Sequence, residues 1–248
     1  MLLPLLVVLS AAEVRTERLS WSLAADGEAP VRRLVVRNDY GDIRARFAED
    51  RTLEAWAVVQ RLDPAPPGVG FTVERRGSTV ALTVAYPPGR VRDADPNPPK
   101  HSYDRLDVTV FVPEGVALEA QTLRGMVEAR GLKSDLRAAT LDGEVLVATT
   151  GTLHARTESG SITATRPAAT DGRLDVVESA SGAITVRLPE SPAVELRVET
   201  GGEIVSNLEL RPRRQGAGTV LAGSVGRPGR LIVVRSESGR VEIRRDLP

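Results

Sequence analysis

A short frame centred on glycine recurs seven times in this 248-residue chain and constrains its fold more than any other feature. In the clearest copies an apolar or small residue stands seven and five positions before the glycine and two and four positions after it. Because alternate side chains of an extended strand lie on the same face, each copy predicts two short strands that meet at a glycine corner. The clear copies centre on Gly41, Gly125, Gly143, Gly160 and Gly239, and two looser copies centre on Gly182 and Gly202.

The spacing of the corners predicts how the strands are arranged. From Gly125 to Gly202 the corners recur every 17 to 22 residues, which is close to the spacing of solenoids, whose repeats bury their apolar faces against one another. Glycine reaches positive φ without a steric penalty, and we expect that conformation at the corners. The frame therefore predicts an all-β β-solenoid or β-roll of short strands, and an antiparallel sandwich whose hairpins share turn chemistry is the alternative. A hydroxyl or amide residue stands three positions before each clear corner glycine, at Asn38, Thr122, Thr140, Thr157 and Ser236.

The gap of 37 residues between Gly202 and Gly239 is about twice the repeat. Within it, Gly218–Ala222 matches the half of the frame that follows a corner, so we predict a degenerate repeat there. An exposed arginine-rich turn precedes it. After the last repeat, the charges and the proline of Arg244–Pro248 would protect an edge strand from further pairing. The arginines of the turn are Arg211, Arg213 and Arg214.

The composition fits a thin aliphatic core, since hydrophobic residues make up 41% of the chain but aromatic residues only 3%. The 33 basic and 33 acidic residues cancel and form no basic stripe, so the electrostatic footprint of nucleic-acid binding is missing. Outward positions of the frame alternate in charge, as at Arg235 and Glu237, and predict cross-strand ladders on a solvated face. The chain has no cysteine, which excludes disulfides, thiolate metal sites and a cysteine nucleophile.

Three regions follow one another along the chain. Residues 1–12 form an apolar stretch that ends on small residues, as a secretory signal peptide does. Residues 13–112 form an N-terminal β region that we expect to cap the repeats, and residues 113–248 form the repetitive region; 13–248 can equally be one continuous domain. Nothing in the sequence reaches the length of a transmembrane segment. Strands are predicted in the N-terminal region at residues 19–23, 34–37, 43–47, 53–60, 69–74, 80–85 and 106–112.

The stretch Leu106–Ala120 forms a strand that ends in a Pro-x-Gly step. Thr-x-x-Gly-x-Val-x-Ala follows it, and Glu-Ser-Gly-Ser-Ile-Thr-Ala comes later, at residues 158–164. This order resembles the bacterial family of putative adhesins, a domain of unknown function with β-solenoid repeats, over residues 34–243. The resemblance implies a β-solenoid in an exported or envelope protein with an adhesin-like role, and it supplies no catalytic residues. The chain departs from the family in an insertion at residues 86–105 and in a weak repeat near 211–216.

The insertion carries the arrangement most similar to a metal site. Asp93, Asp95 and Asp104 stand at positions one, three and twelve of a calcium-binding loop. Pro98 occupies the position where such a loop requires glycine, and the last position is not glutamate. We therefore predict a solvated proline-rich loop.

The rest of the chain offers no catalytic constellation. His101 and His154 are far apart in the sequence and have no partnered serine or cysteine, and His154 is expected to be exposed on the surface. Outward acids alternate with arginines, so they form no pair of the kind that glycosidases use. We predict no catalytic, cofactor-binding or metal-binding residue. The aromatic side chains expected to pack in the core or at an edge are Trp21, Trp56, Tyr40, Tyr86 and Tyr103.

These features predict an exported, non-enzymatic, adhesin-like binding or scaffold protein of the bacterial cell envelope that needs no cofactor. Its expected location is the periplasm, the cell surface or the medium. Its expected partner is an envelope glycan, an envelope protein or a second copy of itself, through a long repetitive surface. The alternatives are a self-assembling β-helix polymer and a carbohydrate-active β-helix enzyme.

Overall fold

Period-two alternation of apolar residues makes this an all-β protein, and strands account for 69% of the residues that the structure describes. The computed structural model describes residues 15–25, 30–61, 69–86, 105–167, 173–227 and 229–246. These residues contain no helix that could cross a membrane. Their strands are β1 (Arg15–Ala24), β2 (Arg33–Tyr40), β3 (Ile43–Ala48), β4 (Thr52–Arg61), β5 (Gly70–Arg76), β6 (Thr79–Ala85), β7 (Arg105–Pro113), β8 (Ala117–Arg124), β9 (Val127–Leu132), β10 (Leu136–Asp142), β11 (Val145–Thr149), β12 (Leu153–Thr157), β13 (Ile162–Thr165), β14 (Leu174–Ser179), β15 (Ile184–Leu188), β16 (Val194–Thr200), β17 (Ile204–Ser206), β18 (Arg213–Gln215), β19 (Gly218–Val225), β20 (Arg230–Ser236) and β21 (Val241–Arg245).

The strands form two large mixed sheets that enclose one apolar core. Sheet A has the order β1-β4-β7-β3-β9-β11-β13-β15-β21-β17, and sheet B has the order β18-β19-β16-β20-β14-β12-β10-β8-β2-β6-β5. From β7 to β17 in sheet A all neighbours are parallel. From β6 to β16 in sheet B they are parallel as well. Antiparallel strands occur at both ends of sheet B and at the β1 end of sheet A.

Each corner glycine joins a strand of sheet B to the next strand of sheet A, and we call such two strands a corner pair. Neighbouring corner pairs lie in register, so that Leu118 faces Leu136 in sheet B and Val127 faces Val145 in sheet A. These inward side chains are at most 3% exposed, and burial of each stabilises the fold by roughly 1.5–3 kcal/mol. The described corner pairs are β2–β3, β8–β9, β10–β11, β12–β13, β14–β15, β16–β17 and β20–β21.

The corner pairs do not follow one another in the order of the sequence. The last pair, β20–β21, lies between β14–β15 and β16–β17. The prediction that Arg244–Pro248 protects an edge strand is therefore wrong, because β21 has a partner on both sides, β15 and β17. Every corner pair presents the same apolar frame, so the frame alone does not fix which pair lies next to which.

The N-terminal strands lie at one end of both sheets. All seven predicted strands are present as β1 to β7. In sheet A, β4 pairs antiparallel with β7 on one side and with β1 on the other. In sheet B, β5 pairs antiparallel with β6. These strands interrupt the parallel stacking at that end.

The predicted degenerate repeat at Gly218–Ala222 is wrong. Here β18 and β19 form an antiparallel hairpin, and β19 pairs antiparallel with β16. Gly216 has a φ of 60°, which suits a two-residue hairpin turn. The arginines before this turn stand where a corner pair needs apolar side chains. Arg211, Arg213 and Arg214 are exposed, as predicted.

Candidate binding groove

The corner glycines stack in a column where the two sheets meet. A Cβ atom on Gly160 would overlap the carbonyl oxygen of Gly143, and a Cβ atom on Gly143 would overlap that of Gly125. Among the corner glycines only Gly41 and Gly125 have positive φ, so the expectation of positive φ at every corner is wrong. Glycine is required mainly because the neighbouring corner occupies the space of a side chain. The column runs in the order Gly41, Gly125, Gly143, Gly160, Gly182, Gly239 and Gly202.

Hydroxyl side chains tie neighbouring corners together. Thr140 Oγ1 donates to the carbonyl oxygen of Gly125 (3.1 Å), and Thr157 Oγ1 donates to that of Gly143 (3.3 Å). The amide of Gly160 in turn donates to Thr157 Oγ1 (3.1 Å). Each buried bond of this kind contributes about 1 kcal/mol, so the recurring hydroxyl has a structural role. The same types of bond involve Thr122, Ser179, Thr200 and Ser236.

A groove of about 670 Å³ lies on the outer face of sheet B, beside the glycine column. It is formed where β12, β14, β20 and β16 end, and the turn of the β18–β19 hairpin is one of its walls. Charged side chains and small residues line it, together with the buried corner hydroxyls of Thr157, Ser179, Thr200 and Ser236. Those hydroxyls already bond the corner backbone, so the carboxylate and guanidinium groups are what the groove offers a ligand. Its residues from the hairpin are Gln215, Ala217, Gly218 and Val220.

Charges alternate along the groove. Neighbouring strands place Arg156, Glu178, Arg235 and Glu199 side by side in one row. This row is a cross-strand ladder of the predicted kind, and Arg235 Nη1 lies 3.3 Å from Glu178 Oε1. Glu158 and Glu237 add two more carboxylates. Four carboxylates thus face two guanidinium groups, and the groove carries an excess of negative charge.

The outer face of sheet A carries a denser ion network around Glu128. This carboxylate is 6% exposed, and its oxygens lie 2.9 Å from Arg46 Nη2 and 2.5 Å from Arg130 Nε. Arg44 Nε is 3.7 Å away. The alternation of charges in the sequence does not reveal the burial of Glu128, because Arg44 and Arg46 come from β3, more than 80 positions earlier.

A buried ion cluster lies between the segment after β13 and the starts of β14 and β20. Asp175 Oδ2 is 2.8 Å from Arg166 Nε and 3.4 Å from Arg230 Nη1. The guanidinium groups also donate to backbone carbonyls: Arg166 to Gly151, and Arg230 to Thr150 and Gly151. All three side chains are at most 2% exposed, so the cluster joins three turns and presents nothing to solvent.

The aromatic residues divide between surface and interior. Trp56 is 54% exposed on the outer face of sheet A, so it does not pack in the core, and its Nε1 donates to Glu54 Oε2 (3.2 Å). Trp21 packs against the core. The Tyr86 hydroxyl lies 2.7 Å from Asn38 Oδ1, and burial raises the pKa of that hydroxyl.

Of the sequence candidates for metal binding and catalysis, His154 is the one that the structure describes. His154 lies in a separate depression of about 370 Å³ on sheet B, near Arg137. His101, Tyr103 and the calcium-like segment 93–104 lie outside the described residues. Among the residues that are described, no three His, Cys, Asp or Glu side chains form a group that could hold a metal ion.

Acidification is expected to destabilise the fold at His154. Burial lowers the pKa of His154 below its ordinary value of 6.5, and nearby Arg137 and Arg156 lower it further, while Glu178 raises it. The unfolded chain therefore takes up the proton first, and stability falls as the pH drops from 6.5 through the lowered pKa. This loss of stability can be measured by urea denaturation of the wild type and of His154→Gln, each at a pH of about 7.5 and of about 5. The variant should lose less stability on acidification; equal losses would contradict the assignment.

Comparisons with known proteins bear on the fold. No protein-family model matches the sequence, and no curated protein matches it. Among solved structures, this fold is similar to that of a "putative cell adhesion protein" from Clostridium sporogenes, with a TM-score of 0.53 and 13% identity over 94% of this chain and 100% of that one. A "putative adhesin" from Bacteroides fragilis gives a TM-score of 0.31 and 8% identity over 92% of this chain and 97% of its own. A "putative adhesin" from Parabacteroides merdae gives a TM-score of 0.31 and 9% identity over 91% of this chain and 96% of its own. At these identities, what the chain shares with the Clostridium sporogenes protein is the fold.

Proposed function

We propose that this chain is an exported, adhesin-like binding or scaffold protein of the bacterial cell envelope, a non-enzymatic protein that acts through the groove on sheet B. The groove is the observation that carries the proposal: it is open, it has a volume of about 670 Å³, and six charged side chains line it. Such a lining suits reversible binding of a polar ligand. The fold similarity to the Clostridium sporogenes protein and the sequence resemblance to the putative adhesins favour the same class.

The proposal includes the fold. We infer that the corner pairs form a β-solenoid or β-roll, that β1, β4 and β5 belong to its N-terminal cap, and that residues 13–248 are one unit after a leader at 1–12. Three observations support this: parallel pairing between corner pairs, the stacked glycine column, and hydroxyl bonds from one corner to the next. A repeat that stacks in this way gives the groove a row of evenly spaced side chains, one per strand.

The ligand class follows from the lining of the groove. A glycan or a protein segment fits its size and its hydrogen-bonding groups, and the excess of carboxylates favours a ligand that carries amino or guanidinium groups. Binding should then weaken as salt is added. A polymer built by end-to-end stacking is less favoured, because the described ends of sheet B and one end of sheet A finish in antiparallel strands.

Glu199→Lys is expected to weaken binding to an isolated bacterial envelope preparation or to an arrayed glycan roughly tenfold, because it reverses a charge in the groove. Glu195→Lys is the matched control, since Glu195 lies on the same strand, outside the groove, and pairs with Arg197 at 2.9 Å. The wild type and the control should bind alike. Equal binding by all three proteins would show that the groove is not the binding site. If the wild type bound neither probe, this would count against an adhesin-like role.

A further inference from the structure

The last corner pair, β20–β21, fills a slot between strands that precede it in the sequence. In sheet B, β20 pairs with β14 on one side and with β16 on the other. In sheet A, β21 pairs in the same way with β15 and β17. Before this segment is in place, the facing edges of those four strands have no partner between them. Open strand edges accept an added strand readily.

The slot selects its occupant by shape and by charge. Ile232 and Ile243 are fully buried within it, and Gly239 stacks between Gly182 and Gly202 in the glycine column. At the start of the segment, Arg230 reaches the buried carboxylate of Asp175. An occupant must therefore supply the apolar frame, a glycine at the corner and an arginine at its first position. The segment Arg230–Arg245 meets all three conditions, whichever copy of the chain provides it.

The connector before the segment is tightly packed. The last residue of β19, Val225, and the first residue of β20, Arg230, both lie beside Val194 of β16. Gly226 has a φ of 74°, and a Cβ atom on it would overlap the carbonyl oxygen of Pro192; a Cβ atom on Gly229 would overlap that of Ala193. Short connectors favour exchange of the following element between copies, because exchange lets the connector extend.

We propose that β20–β21 exchanges between two copies of this protein, so that each segment fills the slot of the other copy and a reciprocal dimer forms. Every strand pairing of the slot is kept in such a dimer, and only the connector changes its path. The exchange goes beyond the proposed function, which concerns the ligand of the groove. Its test needs no ligand, so failure of the exchange and failure of groove binding are separate results.

A mixture of two single-cysteine variants tests the exchange on the full chain, which has no cysteine of its own. One variant carries Glu178→Cys on β14 and the other carries Arg235→Cys on β20, since these positions face each other across the two strands. The mixture is brought close to its unfolding midpoint in urea, returned to buffer and oxidised. Disulfide-linked heterodimers are expected. The control mixture, Glu119→Cys with Arg137→Cys, has the same geometry on β8 and β10 and should give few disulfide-linked heterodimers. Equal yields of heterodimer from both mixtures would overturn the proposal.

A connector variant gives a second, independent readout. Gly226→Ala strains the closed connector and should raise the dimerisation constant of the full chain roughly tenfold, as measured by size exclusion with light scattering. Gly131→Ala is the control, because Gly131 has a similar φ of 68° and no atom within 4 Å of an added Cβ. A dimer fraction for Gly226→Ala no greater than that of Gly131→Ala would also overturn the exchange.

Discussion

Gly160→Ala is expected to lower the free energy of unfolding by about 4 kcal/mol or more, which is at the upper end for a single substitution. The added Cβ would overlap the carbonyl oxygen and the carbonyl carbon of Gly143. The backbone nitrogen of Gly143 would lie 3.1 Å from this Cβ. Backbone atoms of a packed corner cannot move aside as a flexible side chain can. The corner must therefore separate from its neighbour, which breaks the hydroxyl bond from Thr157 to Gly143 as well. Urea denaturation followed by circular dichroism measures the loss.

Gly70→Ala is the matched control for this substitution. Gly70 is also a glycine of a strand, but nothing lies within 4 Å of an added Cβ, and its φ is not in the left-handed region. Alanine there should be neutral or should stabilise the fold by about 0.5–1 kcal/mol. If Gly160→Ala were as well tolerated as Gly70→Ala, the stacked glycine column would be wrong.

Asp175→Asn should destabilise the fold by about 3–5 kcal/mol, the usual cost of removing one partner of a buried ion pair. The neutral amide would leave Arg166 and Arg230 buried together without the carboxylate that lies 2.8 Å and 3.4 Å from them. It would also weaken the bond that Asp175 Oδ1 accepts from the amide of Leu153 at 2.8 Å. Thermal unfolding at neutral pH measures the effect.

An exposed ion pair provides the comparison for Asp175→Asn. Glu195 and Arg197 lie 2.9 Å apart, but their side chains are 45% and 63% exposed, so solvent screens their attraction. Glu195→Gln should cost less than about 1 kcal/mol. An Asp175→Asn variant as stable as Glu195→Gln would mean that the buried cluster does not hold the turns together.

Local features of the fold could be predicted from the sequence because they repeat. Alternation of apolar residues predicts the strands of all seven corner pairs, and it predicts the inward side of each, as at Leu118 and Val127. The frame also marks the corner glycines, although their main physical requirement is the close approach of the neighbouring corner rather than positive φ. That approach depends on the adjacent corner pair and is not visible in any single copy of the frame.

The order of the corner pairs and the candidate site could not be predicted, because both depend on contacts between distant segments. Identical frames fit one another in any order, so nothing local places β20–β21 between β14–β15 and β16–β17. The groove needs that placement, since it sets Arg235 between Glu178 and Glu199. Its wall comes from the β18–β19 hairpin, where the sequence predicts another repeat. The ion partners of Asp175 and Glu128 are likewise far away in the sequence.

Disulfide formation within single chains tests the stacking order of the corner pairs most directly. Arg235 lies on the strand between Glu178 and Glu199, which are therefore two strand spacings apart, about 9.5 Å, beyond the reach of a disulfide. Three double-cysteine variants of the monomer separate the arrangements: Glu178→Cys with Arg235→Cys, Arg235→Cys with Glu199→Cys, and Glu178→Cys with Glu199→Cys. We expect the first two to form an internal disulfide and the third to stay reduced. Rapid oxidation of the third variant, with none in the first two, would contradict the inserted corner pair and the groove built on it.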